Sequence, residues 1–483
     1  MVVLTMDDRA PTYSRTKKTP IQEIRASLNT AVSTPFWLDQ PQRPPVTPAL
    51  LEDTTADLLV VGGGYCGLWT ALIAKERNPQ LDVVLIEGNE IGWAASGRNG
   101  GFCESSLTHG EENGRRHFTE DLPTLSRLAA QNFQDFQDTL VRYDIDAEYE
   151  NTGLLTVATE EYQVAALKRA SQEGGSSTRT FYDSRSIQTM MTSPVFRAGM
   201  FESDGIALVH PAKLVWGLKR ACQQLGVRIF ESTPAVKLRG ESQCVTVETS
   251  TALIRSRKVA LATNGFPSLL KRARFLTIPV YDYVLATRPL TRAQLDDIGW
   301  ASRFGITDSS RQFHYYRLTS DNRIIWGGYD AIYHRGGKVR PAYDQRPATF
   351  ETLADHFFIT FPQLRGISFT HAWGGMIDMS TQFVAFHGLA LGGRVAYSAG
   401  YTGLGVGATR FGAQVMLDLL SGHSTELTQL KMVRCKPVPI PPEPFAYPAI
   451  QLTRRAIDKS DANGGRDGLL LRSMELFGVG FDS

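Results

Sequence analysis

Cysteine is scarce in this chain, and the spacing of its cysteines excludes two common structural devices. The 483 residues include only five cysteines, and none of them forms a C-x-x-C pair. A disulfide framework needs an even set at regular spacings, and a structural zinc site needs closely spaced ligands. We therefore expect reduced thiols and no metal site. The cysteines are Cys66, Cys103, Cys222, Cys244 and Cys435.

The chain also lacks a charge excess and an apolar N-terminal segment. Its 51 Lys and Arg residues balance 49 Asp and Glu residues, which gives a formal net charge of +2. Proteins that bind nucleic acids need a strongly basic surface, so no nucleic-acid partner is expected. The first 20 residues contain acidic residues and proline where a signal peptide needs an apolar core, so the cytoplasm is the expected location.

One apolar stretch, residues 57–87, is long enough to suggest a membrane span, but its glycines and charged flanks argue against that interpretation. It contains a β-prone run ending at Val61, a G-x-G-x-x-G match at 62–67, a helical run, and a second β-prone run ending at Glu87. This order is typical of a dinucleotide-binding unit. A glycine-rich turn within the core is the alternative.

Each glycine of turn 62–67 has a physical role in such a unit. The first permits the turn, the second lets a pyrophosphate approach the main chain, and the third lets the helix lie close to the sheet. Free N–H groups at the helix start face the phosphates. The acidic residue follows 20 residues after the last glycine, where it can accept hydrogen bonds from ribose hydroxyls. The predicted cofactor residues of this unit are Gly62, Gly64, Tyr65, Cys66, Gly67 and Glu87.

Three later segments favour FAD over NAD. Loop 89–103 is rich in small residues, which would let a flat ring system lie against the main chain. A β-prone run ends in Ala262-Thr263-Asn264-Gly265, and residues 395–420 repeat the order strand, glycine loop, helix. An NAD dehydrogenase would leave the second glycine loop, residues 400–407, without a purpose.

These segments together resemble FAD-dependent oxidoreductases of the D-amino acid oxidase superfamily. Within it, the likeness is to the branch of bacterial gamma-glutamylputrescine oxidases and related amine oxidoreductases. The likeness spans about residues 57–420. Its motifs are specific for the superfamily and much less so for the substrate. They are residues 62–67, Glu87, 95–101 (ASGRNGG), 262–265 (ATNG), 372–380 (AWGGMIDMS) and 400–407 (GYTGLGVG).

The resemblance implies a role for each motif in holding FAD. Glu87 would hold the adenosine ribose, Ser96 and Gly97 would lie by the pyrophosphate, and the main chain of Val236 would meet the adenine. Loop 400–407 would point a helix N-terminus at the pyrimidine edge of the flavin. Beyond turn 62–67 and Glu87, the implied cofactor residues are Ser96, Gly97, Arg98, Asn99, Gly100, Gly101, Val236, Ala262, Thr263, Gly265, Gly375, Gly400, Gly403, Leu404, Gly405 and Val406.

The resemblance also implies an α/β fold. A Rossmann-type FAD-binding domain of the glutathione reductase-like ββα type would be interleaved with a substrate domain built on a mixed, largely antiparallel sheet. Apolar residues at helical spacing from Leu122 to Tyr143 predict a core helix. The expected divisions are an N-terminal extension (1–54), an FAD-binding domain (55–112, 197–266 and 368–422), a substrate domain (113–196 and 267–367) and a tail packed on the body (423–483).

Two departures from the sarcosine oxidases, which are cousins of this branch, narrow the expectation. Their covalent flavin link uses the cysteine of a C-M-Y-T-x-T-P motif, and this cysteine aligns with Gly375. The lysine that holds the substrate carboxylate in those enzymes aligns with Gly407. We therefore expect non-covalent FAD and a substrate other than a simple N-methyl amino acid.

The catalytic candidates are few because a flavin would supply the redox centre itself. An alkylamine resembles the Lys side chain, with a pKa of about 10.4, and only its neutral form donates hydride readily, so aromatic walls of low polarity are expected. The aromatic candidates, each with core packing as the alternative, are Tyr281, Tyr283, His314, Tyr315, Tyr316 and Trp373. Arg98 is a further candidate, because a charged residue inside a glycine-rich loop has few structural roles. The residues predicted to be catalytic are Arg98, His314, Tyr316 and Trp373.

The leading functional hypothesis is an FAD-dependent amine oxidase. A primary or secondary amine would lose hydride to the flavin, the imine would be hydrolysed, and O2 would reoxidise the flavin with release of hydrogen peroxide. One alternative is an FAD-dependent dehydrogenase of an amino or 2-hydroxy acid that uses another electron acceptor. The other is a non-catalytic flavin-binding protein. The expected partners are a small-molecule amine and O2, in a monomer or homodimer without a membrane.

Overall fold

The computed structural model describes residues 11–173 and 178–476. The start of the predicted N-terminal extension, residues 1–10, and the end of the predicted tail, residues 477–483, lie outside this described part. The helices are α1 (Thr12–Arg15), α2 (Ile21–Leu28), α3 (Tyr65–Arg77), α4 (Gly110–Phe118), α5 (Leu122–Arg142), α6 (Glu161–Ala170), α7 (Ile187–Met190), α8 (Pro211–Gln224), α9 (Arg292–Ile298), α10 (Pro347–Thr360), α11 (Gly405–Ser421), α12 (Glu426–Gln429), α13 (Lys431–Arg434), α14 (Ala446–Ala462) and α15 (Leu469–Leu476). None of these helices is long and apolar enough to span a bilayer.

The strands form two large sheets and one small ribbon. They are β1 (Thr54–Val61), β2 (Val83–Ile86), β3 (Phe102–Glu104), β4 (Leu154–Ala158), β5 (Arg179–Tyr182), β6 (Ala198–Glu202), β7 (Ile206–Leu208), β8 (Arg228–Phe230), β9 (Ala235–Gly240), β10 (Val245–Thr249), β11 (Leu253–Leu261), β12 (Ile278–Thr287), β13 (Gly305–Asp308), β14 (His314–Leu318), β15 (Ile324–Gly328), β16 (Ile332–Tyr333), β17 (Phe369–Met379), β18 (Phe386–Ala390) and β19 (Val395–Ala399).

The first large sheet has eight strands and contains the predicted dinucleotide-binding unit. Its main order is β18-β19-β11-β1-β2-β8, with β10 and β9 joined through β11. Strands β8, β2, β1, β11 and β19 run parallel. The predicted order of strand, glycine turn, helix and strand is confirmed as β1, turn 62–67, α3 and β2.

The second large sheet has nine strands, and it is mainly antiparallel. Its order is β16-β12-β15-β14-β13-β4-β6-β5, and β17 pairs with β12 along ten residues. The β13–β4 pair is parallel, so the sheet is mixed, as predicted. In the register of β12 and β17, Asp282 lies directly opposite Gly375.

Hydrophobic burial explains how the helices attach to the sheets. Helix α5 begins at Leu122 as predicted and ends one residue before the predicted end. Its apolar face is buried, as predicted, with Leu125, Phe133 and Phe136 in the same core cluster as helices α3, α8 and α11. Helix α10 covers one face of the nine-stranded sheet. The opposite face of that sheet is left for the elements of the site.

Two predicted domain boundaries differ from the division of strands between the sheets. Strand β6 falls in the segment 197–266 and strand β17 in the segment 368–422, both predicted to be FAD-binding. Both strands pair within the nine-stranded sheet instead. For β17 the physical reason is that the strand contacts both predicted domains. It pairs with β12 along its length, and its glycines lie against loop 89–103.

Candidate active site

Turn 62–67 joins β1 to α3 through two positions where only glycine fits. Gly62 has φ +113°, and a Cβ there would lie 2.4 Å from Ala262 O. A Cβ at Gly67 would lie 1.9 Å from Gly62 O, so the first turn of α3 lies directly against the turn before it. The main chain around Gly64 therefore stays close to the helix start, where the first N–H groups lack partners within the helix. Such a site favours phosphate oxygens.

Glu87 follows β2 and points its carboxylate back at the glycine turn. Its Oε2 accepts the Gly63 N–H at 2.6 Å, and its Oε1 accepts the Asn89 N–H at 2.9 Å and the Trp93 indole N–H at 3.0 Å. Burial raises the pKa of Glu87, and these hydrogen bonds oppose the rise. A carboxylate has about four acceptor sites, so capacity remains for a ribose hydroxyl.

Loop 89–103 is held against α3 by side-chain hydrogen bonds. Ser96 Oγ accepts the Tyr65 N–H at 2.9 Å, which caps the start of α3. The Asn99 amide donates to Ala95 O at 3.0 Å, and its oxygen accepts the Gly101 N–H at 2.8 Å. Two predicted cofactor residues, Ser96 and Asn99, thus fix the loop, and the buried Gly97 lies between them.

Two further predicted cofactor segments lie near this region, one beside turn 62–67 and the other beside the end of β2. Ala262 donates its N–H to Val61 O at 2.9 Å, and Thr263 and Gly265 follow at the carboxyl end of β11. Val236 lies in β9 with an exposed side chain. The nearby Pro234 comes within 3.6 Å of a Cβ placed on Gly88, so this segment runs beside the end of β2.

Loop 400–407 leads into α11, which begins at Gly405, and the loop is built around the buried Asp378. The Asp378 carboxylate accepts the Gly400 N–H, and Asp378 O accepts the Thr402 N–H at 3.1 Å. Burial raises the pKa of Asp378 to about 7, and backbone hydrogen bonds oppose this rise. The predicted residues Gly403, Leu404, Gly405 and Val406 form the end of the loop and the first residues of α11.

His109 supports the same loop and was absent from the sequence-based prediction. Its Nε2 lies at hydrogen-bond distance from Thr402 O. A Cβ on Gly403 would lie 3.6 Å from His109 Cε1. Burial lowers the pKa of His109 to about 4, so the ring is neutral at pH 7. His109 is 291 residues or more from the loop in sequence, and no local pattern indicates the contact.

The glycine segments converge on one region. Cys66 Sγ, in the first turn of α3, lies 3.2 Å from Tyr401 OH of loop 400–407. A Cβ at Gly407 would lie 3.5 Å from Cys103 Sγ, at the end of loop 89–103. The start of α3 also contacts loop 89–103, through the hydrogen bond from the Tyr65 N–H to Ser96. The N-termini of α3 and α11 therefore both lie beside loop 89–103. Their partial positive charges favour an anionic ligand, so these residues fit a dinucleotide.

Arg98 connects loop 89–103 to the nine-stranded sheet. Its Nε donates to Trp93 O at 2.7 Å, and its Nη1 donates to Asp344 Oδ2 at 2.5 Å and to Gly374 O at 3.0 Å. The predicted residue Gly375 leaves room for this side chain, because a Cβ there would lie 3.3 Å from Arg98 Cβ. Burial raises the pKa of Asp344, and the Arg98 charge opposes this rise. The charge of Arg98 is thus already balanced.

Two indoles fix the carbonyl groups of loop 89–103. Trp373 Nε1 donates to Arg98 O at 3.0 Å, and Trp37 Nε1 donates to Asn99 O at 2.8 Å. Both side chains are fully buried. The predicted catalytic residue Trp373 therefore orients the loop. Trp37, from the N-terminal extension, does the same work and was not predicted.

His314 and Tyr316 lie on the face of β14 turned away from loop 89–103. The fully buried His314 ring pairs with Asp308 Oδ2 at 2.8 Å and with His356 Nδ1 at 3.0 Å. Tyr316 packs against Trp326, with ring centroids 4.5 Å apart. Both belong to the core covered by α10. This placement does not support the catalytic role that we predicted for them, because successive side chains of a strand point to opposite faces.

Tyr315 occupies the loop-facing side of β14 instead. A Cβ at Gly100 would lie 2.6 Å from Tyr315 Cε2, so the ring lies directly against the loop. Its hydroxyl donates to Asp282 Oδ2 at 2.6 Å. Asp282 was not among the predicted site residues. The signal available in the sequence was the alternation of β12, where Asp282 is the polar residue between Tyr281 and Tyr283.

Arg317 follows two residues later on the same face of β14 and is enclosed completely. Its Nη1 donates to Val209 O at 2.6 Å and to Gly101 O at 3.4 Å. Its guanidinium lies 5.6 Å from the centroid of the Trp37 ring. Burial lowers the pKa of Arg317 to about 10. This arginine therefore holds the end of loop 89–103 and has no access to a ligand.

Sequence comparison places most of the chain in one group of proteins. Residues 57–419 match the family described as "DAO: FAD dependent oxidoreductase". The chain is 28% identical over 391 residues to gamma-glutamylputrescine oxidoreductase of Escherichia coli, covering 78% of this chain and 86% of the relative. It is 26% identical over 391 residues to the probable oxidoreductase OrdL of Haemophilus influenzae, covering 79% and 86%.

Comparison with solved structures agrees on the architecture. Glycine oxidase from Geobacillus kaustophilus superimposes with a TM-score of 0.65 at 17% identity, covering 79% of this chain and 99% of that chain. L-proline dehydrogenase from P. horikoshii superimposes with a TM-score of 0.62 at 17% identity, covering 78% and 96%. At this identity the likeness shows the fold alone, and the predicted α/β fold is confirmed.

Proposed function

The chain belongs to the DAO family of FAD dependent oxidoreductases, and we propose that it oxidises the C–N bond of a primary or secondary amine. FAD is its cofactor, as predicted. When bound, FAD supplies a two-electron acceptor for the substrate hydride, with O2 as the final oxidant and hydrogen peroxide as the product. We propose that the resulting imine is hydrolysed to an aldehyde and an amine.

The residues proposed to hold FAD are those of the converging glycine segments. Turn 62–67 and the start of α3 would face the pyrophosphate, and Glu87 would accept ribose hydroxyls. Loop 89–103 and loop 400–407 would lie along the flavin, with Val236 and residues 262–265 beside the rest of the cofactor. We propose that the link is non-covalent, because Gly375 has no nucleophile and burial raises the pKa of the Cys66 thiol to about 12.

One observation supports an amine over an amino acid. Arg98 and Arg317 both lie at the contact between loop 89–103 and the nine-stranded sheet, and both are engaged by protein oxygens. The ion pair of Arg98 with Asp344 has no net charge that would attract a substrate carboxylate, and Arg317 is buried. Position 407, where a lysine holds the carboxylate in the sarcosine oxidases, is Gly407. The loop-facing surface presents Tyr315 and the acidic Asp282 instead.

One relative supports the same substrate class. The name of the Escherichia coli relative refers to a derivative of putrescine, which is an amine. On this proposal, the aromatic rings of Tyr315 and Phe102, whose centroids lie 5.9 Å apart, exclude water from the substrate. Exclusion of water strengthens the interaction of a charged nitrogen with any nearby carboxylate.

The proposal is tested by anaerobic mixing of the FAD-loaded protein with a panel of amines, amino acids and 2-hydroxy acids. Loss of the visible absorbance of the oxidised flavin with amines only is the expected result. Bleaching by amino or 2-hydroxy acids alone would favour a dehydrogenase of those acids. The absence of bleaching with every compound would favour a flavin-binding protein without this activity.

A further inference from the structure

Asp282 faces loop 89–103 from the middle of β12. Residues directly opposite in an antiparallel pair point to the same face of the sheet. Asp282 lies opposite Gly375, and a Cβ on Gly375 would lie 3.3 Å from Arg98 Cβ. The Asp282 side chain is therefore on the side of the sheet that meets the loop. It remains partly exposed there.

The Asp282 carboxylate is fixed by three donors. Tyr315 OH donates to Oδ2 at 2.6 Å, and the N–H groups of Tyr283 and Gly328 donate to Oδ1 at 2.8 Å and 3.2 Å. The Tyr315 ring is clamped in turn, because a Cβ on Gly100 would lie 2.6 Å away and a Cβ on Gly327 2.5 Å away. The carboxylate therefore has a single orientation, which Tyr315 determines.

The partners that the structure describes for this carboxylate are all uncharged. Burial raises the pKa of the Tyr315 phenol far above its ordinary value. The phenol therefore stays protonated and acts as a neutral hydrogen-bond donor to Asp282. The other charged or titratable groups around Asp282 are His314 on β14 and Arg98 beyond β17. His314 is committed to Asp308 and Arg98 to Asp344. A partly exposed negative charge thus lies beside the loop without a cation of its own.

We propose that Asp282, oriented by Tyr315, binds the positively charged nitrogen of the substrate and accepts one proton from it before the C–H bond is broken. This inference rests on the proposed function, because an alkylammonium ion is the form in which an amine reaches the protein at pH 7. It assigns the preference for amines to an acidic residue on β12. It also assigns the positioning role to Tyr315.

The proton transfer balances without an oxidant. R–CH2–NH3⁺ and the Asp282 carboxylate become R–CH2–NH2 and the Asp282 carboxylic acid, and no electrons are exchanged. Burial raises the pKa of Asp282 to about 6, with the hydrogen bond from Tyr315 opposing this rise. The carboxylate is therefore ionised at pH 7, and its pKa lies closer to that of an amine than the pKa of an exposed aspartate does. Desolvation of the ion pair further favours the neutral pair.

The first test measures binding without oxidation of an amine. Choline carries a fixed positive charge and no N–H, and 3,3-dimethylbutan-1-ol has the same shape without the charge. Both are titrated anaerobically into the FAD-loaded protein, and the flavin spectrum reports binding. We expect the wild type to bind choline at least tenfold more tightly than the alcohol. Asp282→Asn should remove this preference, and Tyr315→Phe should reduce it.

Tyr283→Phe is the matched control, because it deletes one hydroxyl from the opposite face of the same strand. Tyr283 OH donates to Tyr343 O, and the Tyr283 ring packs against Phe350 of α10, with ring centroids 5.7 Å apart. This control should keep the wild-type preference for choline. If Asp282→Asn does not bind FAD, the pH dependence of choline binding to the wild type tests the proposal instead. The affinity of the wild type for choline should fall tenfold per pH unit below about pH 6, where Asp282 becomes neutral. Equal binding of choline and the alcohol by the wild type, or an unchanged preference in Asp282→Asn, overturns the proposal.

The second test follows the rate of anaerobic flavin reduction against pH at subsaturating amine. In the wild type the reactive forms are the ammonium ion of the substrate and the ionised Asp282 carboxylate, and both predominate between about pH 7 and pH 9. The rate should therefore be flat over this range and fall below about pH 6, where Asp282 becomes protonated. Asp282→Asn needs an amine that is already neutral, so its rate should rise tenfold per pH unit. Equal slopes in both proteins overturn the proposal. If no amine reduces the flavin, the proposed function fails, while the choline titration still decides whether Asp282 binds a cation.

Discussion

Arg98 Nη1 and Asp344 Oδ2 lie 2.5 Å apart although 246 residues separate them in the chain. The pair joins loop 89–103 to the short 3-10 turn Pro341–Asp344, which precedes α10. Both side chains are mostly buried, at 14% and 21% exposure. The ion pair therefore holds the segment 335–346 against the edge of the site.

Asp344→Asn should release this segment. An ion pair with partial exposure contributes about 1 kcal/mol, which corresponds to a roughly fivefold change in the population of the detached state. Arg335 and Lys338 are exposed and offer cleavage sites for trypsin. We expect cleavage in the segment 335–346 to become about fivefold faster, measured by limited digestion and mass spectrometry.

Asp321→Asn is the control, since Asp321 pairs with Arg323 at a distant turn of the same sheet. Its digestion pattern should match that of the wild type. Cleavage of Asp344→Asn at the wild-type rate would show that other contacts hold the segment.

Glu87→Ala should lower the FAD content of the purified protein. The alanine removes the proposed ribose acceptor and also the acceptor for the Gly63 N–H. Hydrogen bonds to a charged group contribute roughly 1.5–3 kcal/mol, so affinity should fall by about 10- to 150-fold. The ratio of flavin to protein absorbance measures the loss, and circular dichroism checks the fold.

Glu90→Ala serves as the comparison for Glu87→Ala. Glu90 lies three residues further on and pairs with Arg43 at the surface. It should keep the wild-type content of FAD. A fully loaded Glu87→Ala protein would place the ribose elsewhere and require a different path for the cofactor.

Acid precipitation should release one FAD per chain into the supernatant. Gly375 has no side chain that could form a bond with the flavin, and burial raises the pKa of the Cys103 thiol. A protonated thiol is a poor nucleophile. Flavin that stays with the precipitate would indicate a covalent link, and Cys103→Ala would then be the variant that identifies the attached residue.

The local features of the site could be predicted from the sequence, because short-range chemistry determines them. The order of β1, turn 62–67, α3 and β2 follows from apolar runs, glycine and one acidic residue within 31 residues. Helix α5 follows from its apolar period. The likeness to a flavoprotein superfamily placed three further segments near the turn. No long-range contact had to be known for any of these predictions.

The choice between His314 and Tyr315 could not be made in the same way. Both faces of β14 are covered, one by α10 and one by loop 89–103, so polarity does not distinguish them. The alternation of side chains was known, but its phase depends on the pairing of β14 with β15. The same argument applies to Asp282, whose neighbours Tyr281 and Tyr283 were named instead.

Contacts from distant segments were equally hidden. Trp37 belongs to an extension that carries no recognisable motif, yet its indole donates to Asn99 O across 62 residues. The Arg98–Asp344 pair and the His109 contact have the same character. Such contacts follow from the packing of complete sheets, and a single sequence gives no period or spacing that predicts them.

Asp378→Asn should change how the stability of the apoprotein depends on pH. Burial raises the pKa of Asp378 from its usual range to about 7. Below about pH 4 the carboxyl group is neutral in both the folded and the unfolded chain. Between about pH 4 and pH 7 the unfolded chain releases this proton while the folded chain retains it, so wild-type stability falls as the pH rises.

The expected loss is about 1.4 kcal/mol per pH unit, and at most about 4 kcal/mol in total. Asparagine does not titrate, and its amide oxygen can still accept the Gly400 N–H. Urea unfolding of both apoproteins between pH 4 and pH 8 measures the difference in unfolding free energy, in which all other titrating groups cancel. We expect the wild type to lose stability relative to Asp378→Asn as the pH rises to about 7 and no further above it. A difference that is constant with pH, or that increases, would show that Asp378 ionises in the folded chain as easily as in the unfolded one.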